Sequence, residues 1–340
     1  MKTATIIGPY VLQNFGDDLI GAVIAKQLSS KGYKVNLPGV SKANCEWLHI
    51  NYNTSRRCAV RESDLIVIGG GGMFGDAGVY PTERYRILAL KAAMYGKLTG
   101  KRIVTTGVGA GPLSRKKSVL LTLALGVLSE KIGVRDKESY SFLAKIGINS
   151  NKLIEGADIA LLAPDYFMFP DAKTSRYGFQ FDADYFPDIR NNSNLAAIKD
   201  DIMNFINLDR HNALLVSNSH AYSQLYQKQL LNTETLCYQG FLPPVLQQLN
   251  GMKAIFTSHL HLAITAYAFK VPCFSLFVRE KTKRFYEQIG HPERAIDLAS
   301  ANRDDCKKLI AQMQSAQWTS YDDKILNKLK MKSKELLAVL

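Results

Sequence analysis

His259 and His261 stand two residues apart in SHLHLAITAYAFKVPCFSL, residues 258–276, directly after the apolar run KAIF. A strand that gives way to titratable residues and then to an alanine-rich helical pattern is how open α/β sheets present chemistry. Their ligands sit in the crevice at the carboxyl ends of the strands. The same arrangement recurs at NFGDD (14–18), GGGGMFGD (69–76) and GVRD (133–136). Together these four pieces point to a function that none of them indicates alone.

Each piece admits a chemical and a structural reading. In GGGGMFGD, consecutive glycines let the backbone approach an anion closely, and N–H groups around Gly71 and Gly72 can cradle phosphate or carboxylate oxygens. A tight turn packed on its neighbours weighs equally, with Asp76 capping the next turn. The spacing Gly70-x-Gly72-x-x-Gly75 formally fits a dinucleotide fingerprint, but LALKAAMYGKLTGKR (88–102) lacks the acidic ribose-binding partner. Nicotinamide and flavin are therefore not expected. In NFGDD, one of Asp17 and Asp18 is expected to cap a helix, leaving the other as a candidate base. Arg135 ends an apolar run, where it can grip a carboxylate or phosphate through two parallel hydrogen bonds. A surface ion pair with Asp136 or Glu138 has even weight. His259 and His261 have no third ligand at metal-site spacing, so no metal is expected. Lys281, Lys283 and Arg284 can reach an anion or stay solvated.

These residues need elements to position them, and the first half supplies alternating strands and helices. Apolar β-prone runs occur at 4–8, 34–38, 65–69, 103–109, 131–135 and 159–163, with helical patterns such as DLIGAVIAKQLSSKG and KESYSFLAKIG between them. Continuous apolar strands alternating with helices imply a mostly parallel sheet covered on both faces. Residues 166–195, rich in aromatics, Pro, Asp and Asn, read as a linker with irregular structure. Alternation resumes at 212–218, 235–239, 253–258, 272–277 and 295–299. The expected organisation is a first α/β domain over 1–165, the irregular segment, a second domain over 196–320, and a basic terminal helix over 321–340 that crosses back. Two such halves are expected to face a cleft.

Composition bounds the rest. The chain has 340 residues, 46% hydrophobic and 21% charged, enough for two domains with their own cores. No apolar run approaches the ~20 residues that span a bilayer, and no signal-peptide pattern opens the chain. Five scattered cysteines argue for reduced thiols and a cytoplasmic setting. The formal net charge of +13 is spread out, with no recognised nucleic-acid module, and suits an anionic small substrate or an anionic membrane surface. Lys324, Lys328, Lys330, Lys332 and Lys334 form a local excess, read as the solvated face of a packed helix; peripheral contact with the inner membrane face is the minority reading.

As an ordered set, NFGDD, GGGGMFGD, GVGAGPL, GVRDKESYSFLAKIGI, EGADIALL, SHLHLAITAYAFKVPCFSLF and KTKRFYEQIG resemble the polysaccharide pyruvyltransferase family over most of the chain. The resemblance implies an α/β fold of two Rossmann-like, GT-B-like domains. It also implies transfer of pyruvate from phosphoenolpyruvate to a sugar as a ketal, in capsule or exopolysaccharide synthesis. Phosphoenolpyruvate is then a co-substrate and no cofactor is implied; the acceptor sugar is nucleotide-, lipid- or polymer-linked. By position the resemblance puts the catalytic histidine at His261, the first-domain arginine at Arg135 and the late lysine at Lys281; Asp17, the candidate base, is the expected partner of His261. The expected phosphoenolpyruvate contacts are Arg135, Lys281, His259, Gly71 and Gly72, and Asn14 and Asp76 are expected at the acceptor. One position departs: the family commonly carries arginine where this chain has His259, and a neutral imidazole does not replace a permanent charge. Two other readings stay open, a nucleotide-sugar-dependent GT-B glycosyltransferase and a non-catalytic assembly protein with a degenerate donor site. Oligomeric state is not legible.

Overall fold

Five of the six runs read as strands in the first half are strands in the computed structural model, which describes residues 1–53, 55–76, 82–170, 173–181, 191–217 and 233–340. They are β1 (Thr3–Ile7), β2 (Lys34–Asn36), β3 (Leu65–Gly69), β4 (Arg102–Val108) and β5 (Ile132–Val134). The sixth run is not a strand. Ile159–Leu162 forms a buried 3-10 turn capped by Asp158, whose carboxylate accepts from the Ala160 N–H at 3.0 Å. A short buried apolar run carries no period that separates the two outcomes. The sheet is completed instead by β6 (Leu153–Glu155), too short and too polar to stand out.

All six strands pair in parallel, in the order β2-β1-β3-β4-β5-β6. The connecting helices are α1 (Phe15–Ser30), α2 (Lys42–Leu48), α3 (Arg56–Glu62), α4 (Thr82–Leu98), α5 (Lys116–Leu128) and α6 (Lys137–Lys145). Right-handed crossovers running in one direction put α4, α5 and α6 on one face of the sheet. There Tyr85, Ala89 and Ala93 of α4, Leu125 of α5 and Leu143 of α6 share a buried cluster with Ile66, Ile68, Ile103 and Ile132.

The second sheet is also parallel, in the order β12-β11-β10-β7-β8-β9. Its strands are β7 (Tyr177–Gln180), β8 (Ala213–Ser217), β9 (Glu234–Cys237), β10 (Ala254–Thr257), β11 (Cys273–Phe277) and β12 (Ala295–Asp297). Strand β7 lies inside the segment read as irregular, yet it is central. Its Gly178 leaves room for the Met252 sulfur, which a β-carbon would approach to 2.6 Å. One face of this sheet packs Phe179, Phe256 and Phe274 against Ile198, Ile202 and Ile206 of helix Leu195–Leu208 and Leu309 and Met313 of helix Arg303–Ser315.

The chain divides into two units, one of Met1–Tyr166 with Lys328–Leu340 and one of Phe167–Asn327. The final residues of helix Ser320–Ala338 are thus part of the first unit. Leu336 is fully buried over Gly133 and Gly156, and its carbonyl accepts from Thr106 Oγ1 at 2.6 Å. Lys330 and Lys334 pair with Asp165 at 2.6 and 3.0 Å, and Lys332 pairs with Glu155 at 2.9 Å. These contacts locally neutralise part of the terminal lysine excess. Among the described residues no helix is long and apolar enough to cross a membrane.

Leu336→Ala empties a site that flanking glycines keep free of other side chains. It is expected to lower the stability of the first unit by about 3 kcal/mol, measured by urea unfolding.

Candidate functional site

In the first sheet the connections leave β1 and β3 in opposite directions, so the crevice above these neighbours is where an open α/β sheet takes a ligand. Two sequence motifs meet there. Asn14 caps α1, its Oδ1 accepting from the Gly16 and Asp17 N–H groups at 3.1 and 3.4 Å. The cap is therefore Asn14, not Asp17 or Asp18. Asp18 is buried, whereas Asp17 is half-buried with its carboxylate against Gly71, where any side chain would collide with it. Gly70 and Gly71 have φ of +94° and +63°, left-handed values that favour glycine. Gly72 beside them is exposed and borders open space. Tyr10, which carried no signal in the sequence, braces this turn: its buried hydroxyl donates to the Gly69 carbonyl at 3.0 Å. Burial, reinforced by Asp17 and Asp18, pushes its pKa well above the usual phenol value, so it stays a donor.

Asp76 turns inward. Its Oδ1 takes the Arg86 guanidinium at 2.5 Å, while Oδ2 accepts from the Ser114 and Arg115 N–H groups at 3.0 and 3.3 Å. Arg86 is fully buried and also donates to the Met73 and Gly75 carbonyls at 2.9 and 3.1 Å. The pair closes the glycine turn from behind. Burial pushes the Asp76 carboxyl up, but hydrogen bonds from Ser118, Arg86 and Arg115 outweigh it and hold the pKa below the ordinary value.

Arg135 is not at the surface. It is 5% exposed, with Nε and Nη1 each 3.5 Å from a buried carboxylate, those of Asp136 and Asp158 respectively. Its guanidinium fills the space that a side chain at Gly109 would need, and the Gly109 N–H donates to the Gly71 carbonyl at 3.0 Å. Arg135 thus supports the floor that holds the glycine turn. Asp158, inside EGADIALL, was given no role of its own in the sequence, because its partner Arg135, just after β5, is remote in the chain.

The second sheet reverses between β7 and β10. Gln180 ends β7 and its Oε1 collects Thr257 Oγ1 at 2.7 Å and the Ser258 and His259 N–H groups at 3.1 and 3.2 Å. This fixes the turn from β10 into helix Leu260–Ala268, for which His259 is the N-cap residue without a side-chain capping hydrogen bond. His261 sits in the first turn, and both histidines are half-buried. Lys281 is half-buried near the start of helix Glu280–Gln288, which comes after the adjacent strand β11. Gln180 was missed because its strand was. No group of three or more His, Cys, Asp or Glu among the described residues is placed to hold a metal ion.

The family model for polysaccharide pyruvyl transferase matches residues 14–276, from the cap of α1 to the end of the strand after His261. The chain belongs to the polysaccharide pyruvyl transferase family. Lys281 lies just beyond the matched residues of this transferase family. No curated protein matched the chain. Solved structures with the same fold include the UDP-GlcNAc 2-epimerase of Methanocaldococcus jannaschii in complex with UDP-GlcNAc and UDP. It is 14% identical, with 100% of this chain and 99% of that one covered and a TM-score of 0.62. The UDP-GlcNAc 2-epimerase of Neisseria meningitidis bound to UDP-GlcNAc is 12% identical, with complete coverage of both chains (100% each) and a TM-score of 0.60. The glycotransferase of kitacinnamycin is 11% identical over 98% of this chain and 95% of that one, with a TM-score of 0.55. These similarities place the pyruvyl transferase chain in the GT-B-like fold class.

Asp76→Ala strands the buried Arg86 charge, which is expected to cost about 3 kcal/mol of stability in urea unfolding. Because the Asp76 pKa is depressed on folding, its contribution is full above the ordinary carboxylate range and is lost as pH falls through and below it. The difference between wild type and variant should therefore shrink on acidification.

Proposed function

We propose that this family member transfers the pyruvyl group of phosphoenolpyruvate to two hydroxyls of a sugar, releasing phosphate and forming a ketal, in cell-surface polysaccharide synthesis. The observation that carries this reading is the turn at the second switch point. A helix N-terminus favours an anion through its first-turn N–H groups, and His259 and His261 stand at this one. Backbone amides and imidazole there take the place of the guanidinium common in the family. Lys281 is a further anion contact in the same unit, and the Gly71–Gly72 turn is a separate anion cradle of the first unit. Arg135, committed to Asp136 and Asp158, acts by fixing the Gly109 and Gly71 backbone.

The reaction balances without a redox partner. A general acid protonates the methylene carbon of phosphoenolpyruvate, and a sugar hydroxyl attacks the neighbouring carbon while a base takes the hydroxyl proton. The carbon–oxygen bond to phosphate breaks, and a second hydroxyl attacks the same carbon, losing its proton as the ketal closes. His261 is the acid–base or phosphate-contacting residue, and Asp17 is the base for the attacking hydroxyl. Asn14, beside Asp17, can donate its amide N–H to the acceptor, a role Asp76 is poorly placed to share because both its oxygens are engaged. A second reading is favoured by the two epimerases of the same fold that are described with UDP or UDP-GlcNAc. In it, the sugar substrate is nucleotide-linked.

His261→Ala and Asp17→Asn should each lower phosphate release at least about 100-fold, with circular-dichroism melting unchanged. Full turnover in a well-folded His261→Ala protein would refute its assignment. Calorimetric titration should show phosphoenolpyruvate binding that weakens in His259→Ala. Binding of a UDP-sugar but not of phosphoenolpyruvate would instead favour a nucleotide-sugar-dependent glycosyltransferase.

A further inference from the structure

Helices α4 and α5 cover the first sheet side by side, and their inner faces are buried in its apolar cluster. Their outer faces are apolar as well. Met94 and Leu98 on α4 are 51% and 85% exposed, and Leu120 and Val127 on α5 are 65% and 74% exposed. Spacings of four and seven residues put each pair on one stripe of its helix. Tyr95 adds an exposed amphipathic ring beside Leu98. These five are a large part of the thirteen large apolar side chains exposed among the described residues, so the exposure is concentrated, not scattered. A surface helix ordinarily turns polar residues outward.

Charge says what such a face fits. Exposed Arg84, Lys91, Lys97, Arg115, Lys116 and Lys117 border it. The only acid in the two helices is Glu83, already paired with Lys117 at 2.6 Å and Arg115 at 3.6 Å. Two copies joined through this face by a twofold axis would set these positive groups against one another. An anionic lipid surface instead takes the apolar stripes at the headgroup boundary and the lysines and arginines at its phosphates.

We propose that the outer face of α4 and α5 is a peripheral docking surface for an anionic lipid bilayer. This surface differs from the C-terminal lysine-rich helix, where Lys330, Lys332 and Lys334 are paired with acids of their own unit. It does not depend on the reaction proposed above.

The test is sedimentation of the full chain with vesicles of phosphatidylcholine alone and of phosphatidylcholine mixed with phosphatidylglycerol. Partition onto the anionic vesicles should be at least roughly tenfold stronger and should fall as salt is raised. Leu98→Asp with Val127→Asp, and separately Lys91→Glu with Lys97→Glu, should each weaken it about tenfold or more, with melting unchanged because all four residues are exposed. Lys324→Glu with Lys328→Glu should leave it intact. The proposal falls if the wild type does not prefer anionic vesicles, or if either α4–α5 double variant binds as well as wild type. It also falls if only the Lys324/Lys328 variant loses binding. A lipid-independent dimer that Leu98→Asp with Val127→Asp dissolves would show a second copy of the chain as the occupant, and would overturn it too.

Discussion

Neighbouring parallel strands whose connections leave in opposite directions open a gap at their carboxyl ends, and in both units the residues with chemical capacity gather around that gap. In the first unit it lies between β1 and β3, where Asp17 meets Gly71. In the second it lies between β7 and β10, where Gln180 holds the turn that carries His259 into the helix of His261. The constraint is one of connectivity, and it would persist through wide changes of side chain.

The edges of those gaps are lined by buried polar contacts that fix backbone. Arg86 ties Asp76 to the carbonyls of Met73 and Gly75, and Tyr10 reaches the Gly69 carbonyl. Arg135 backs Gly109, whose N–H reaches Gly71. Gln180 Oε1 alone collects three residues of the strand-to-helix turn. Each contact is worth little net, but each would be costly to leave half-made. The glycine turn is therefore held in place by several partners, and that suits a cradle whose use depends on where its N–H groups point.

The separation of roles among the charged residues comes from burial. Asp76, Arg86, Arg135 and Asp158 are enclosed and occupied with one another, whereas Asp17, His259, His261 and Lys281 stay partly open. Charged groups taken out of water need partners. Those left half-buried keep contact with water.

The sequence by itself determined the alternation of strands and helices, the four strand-end motifs and the family, because these are properties of local period and ordered residue type. Only the tertiary structure made β7 a central strand, turned 159–162 into a 3-10 turn, and moved the cap of α1 from the aspartates to Asn14. It also buried the Arg135–Asp136 pair foreseen as a surface contact and added Asp158 to it, and it gave Asp76 to Arg86. The physical reason is common to these last cases: a charged side chain reads the same in sequence whether it waits for a ligand or is already satisfied. Which of the two holds is decided by burial and by partners that the fold brings from other elements, such as Arg86 of α4 and Asp158 before the 3-10 turn.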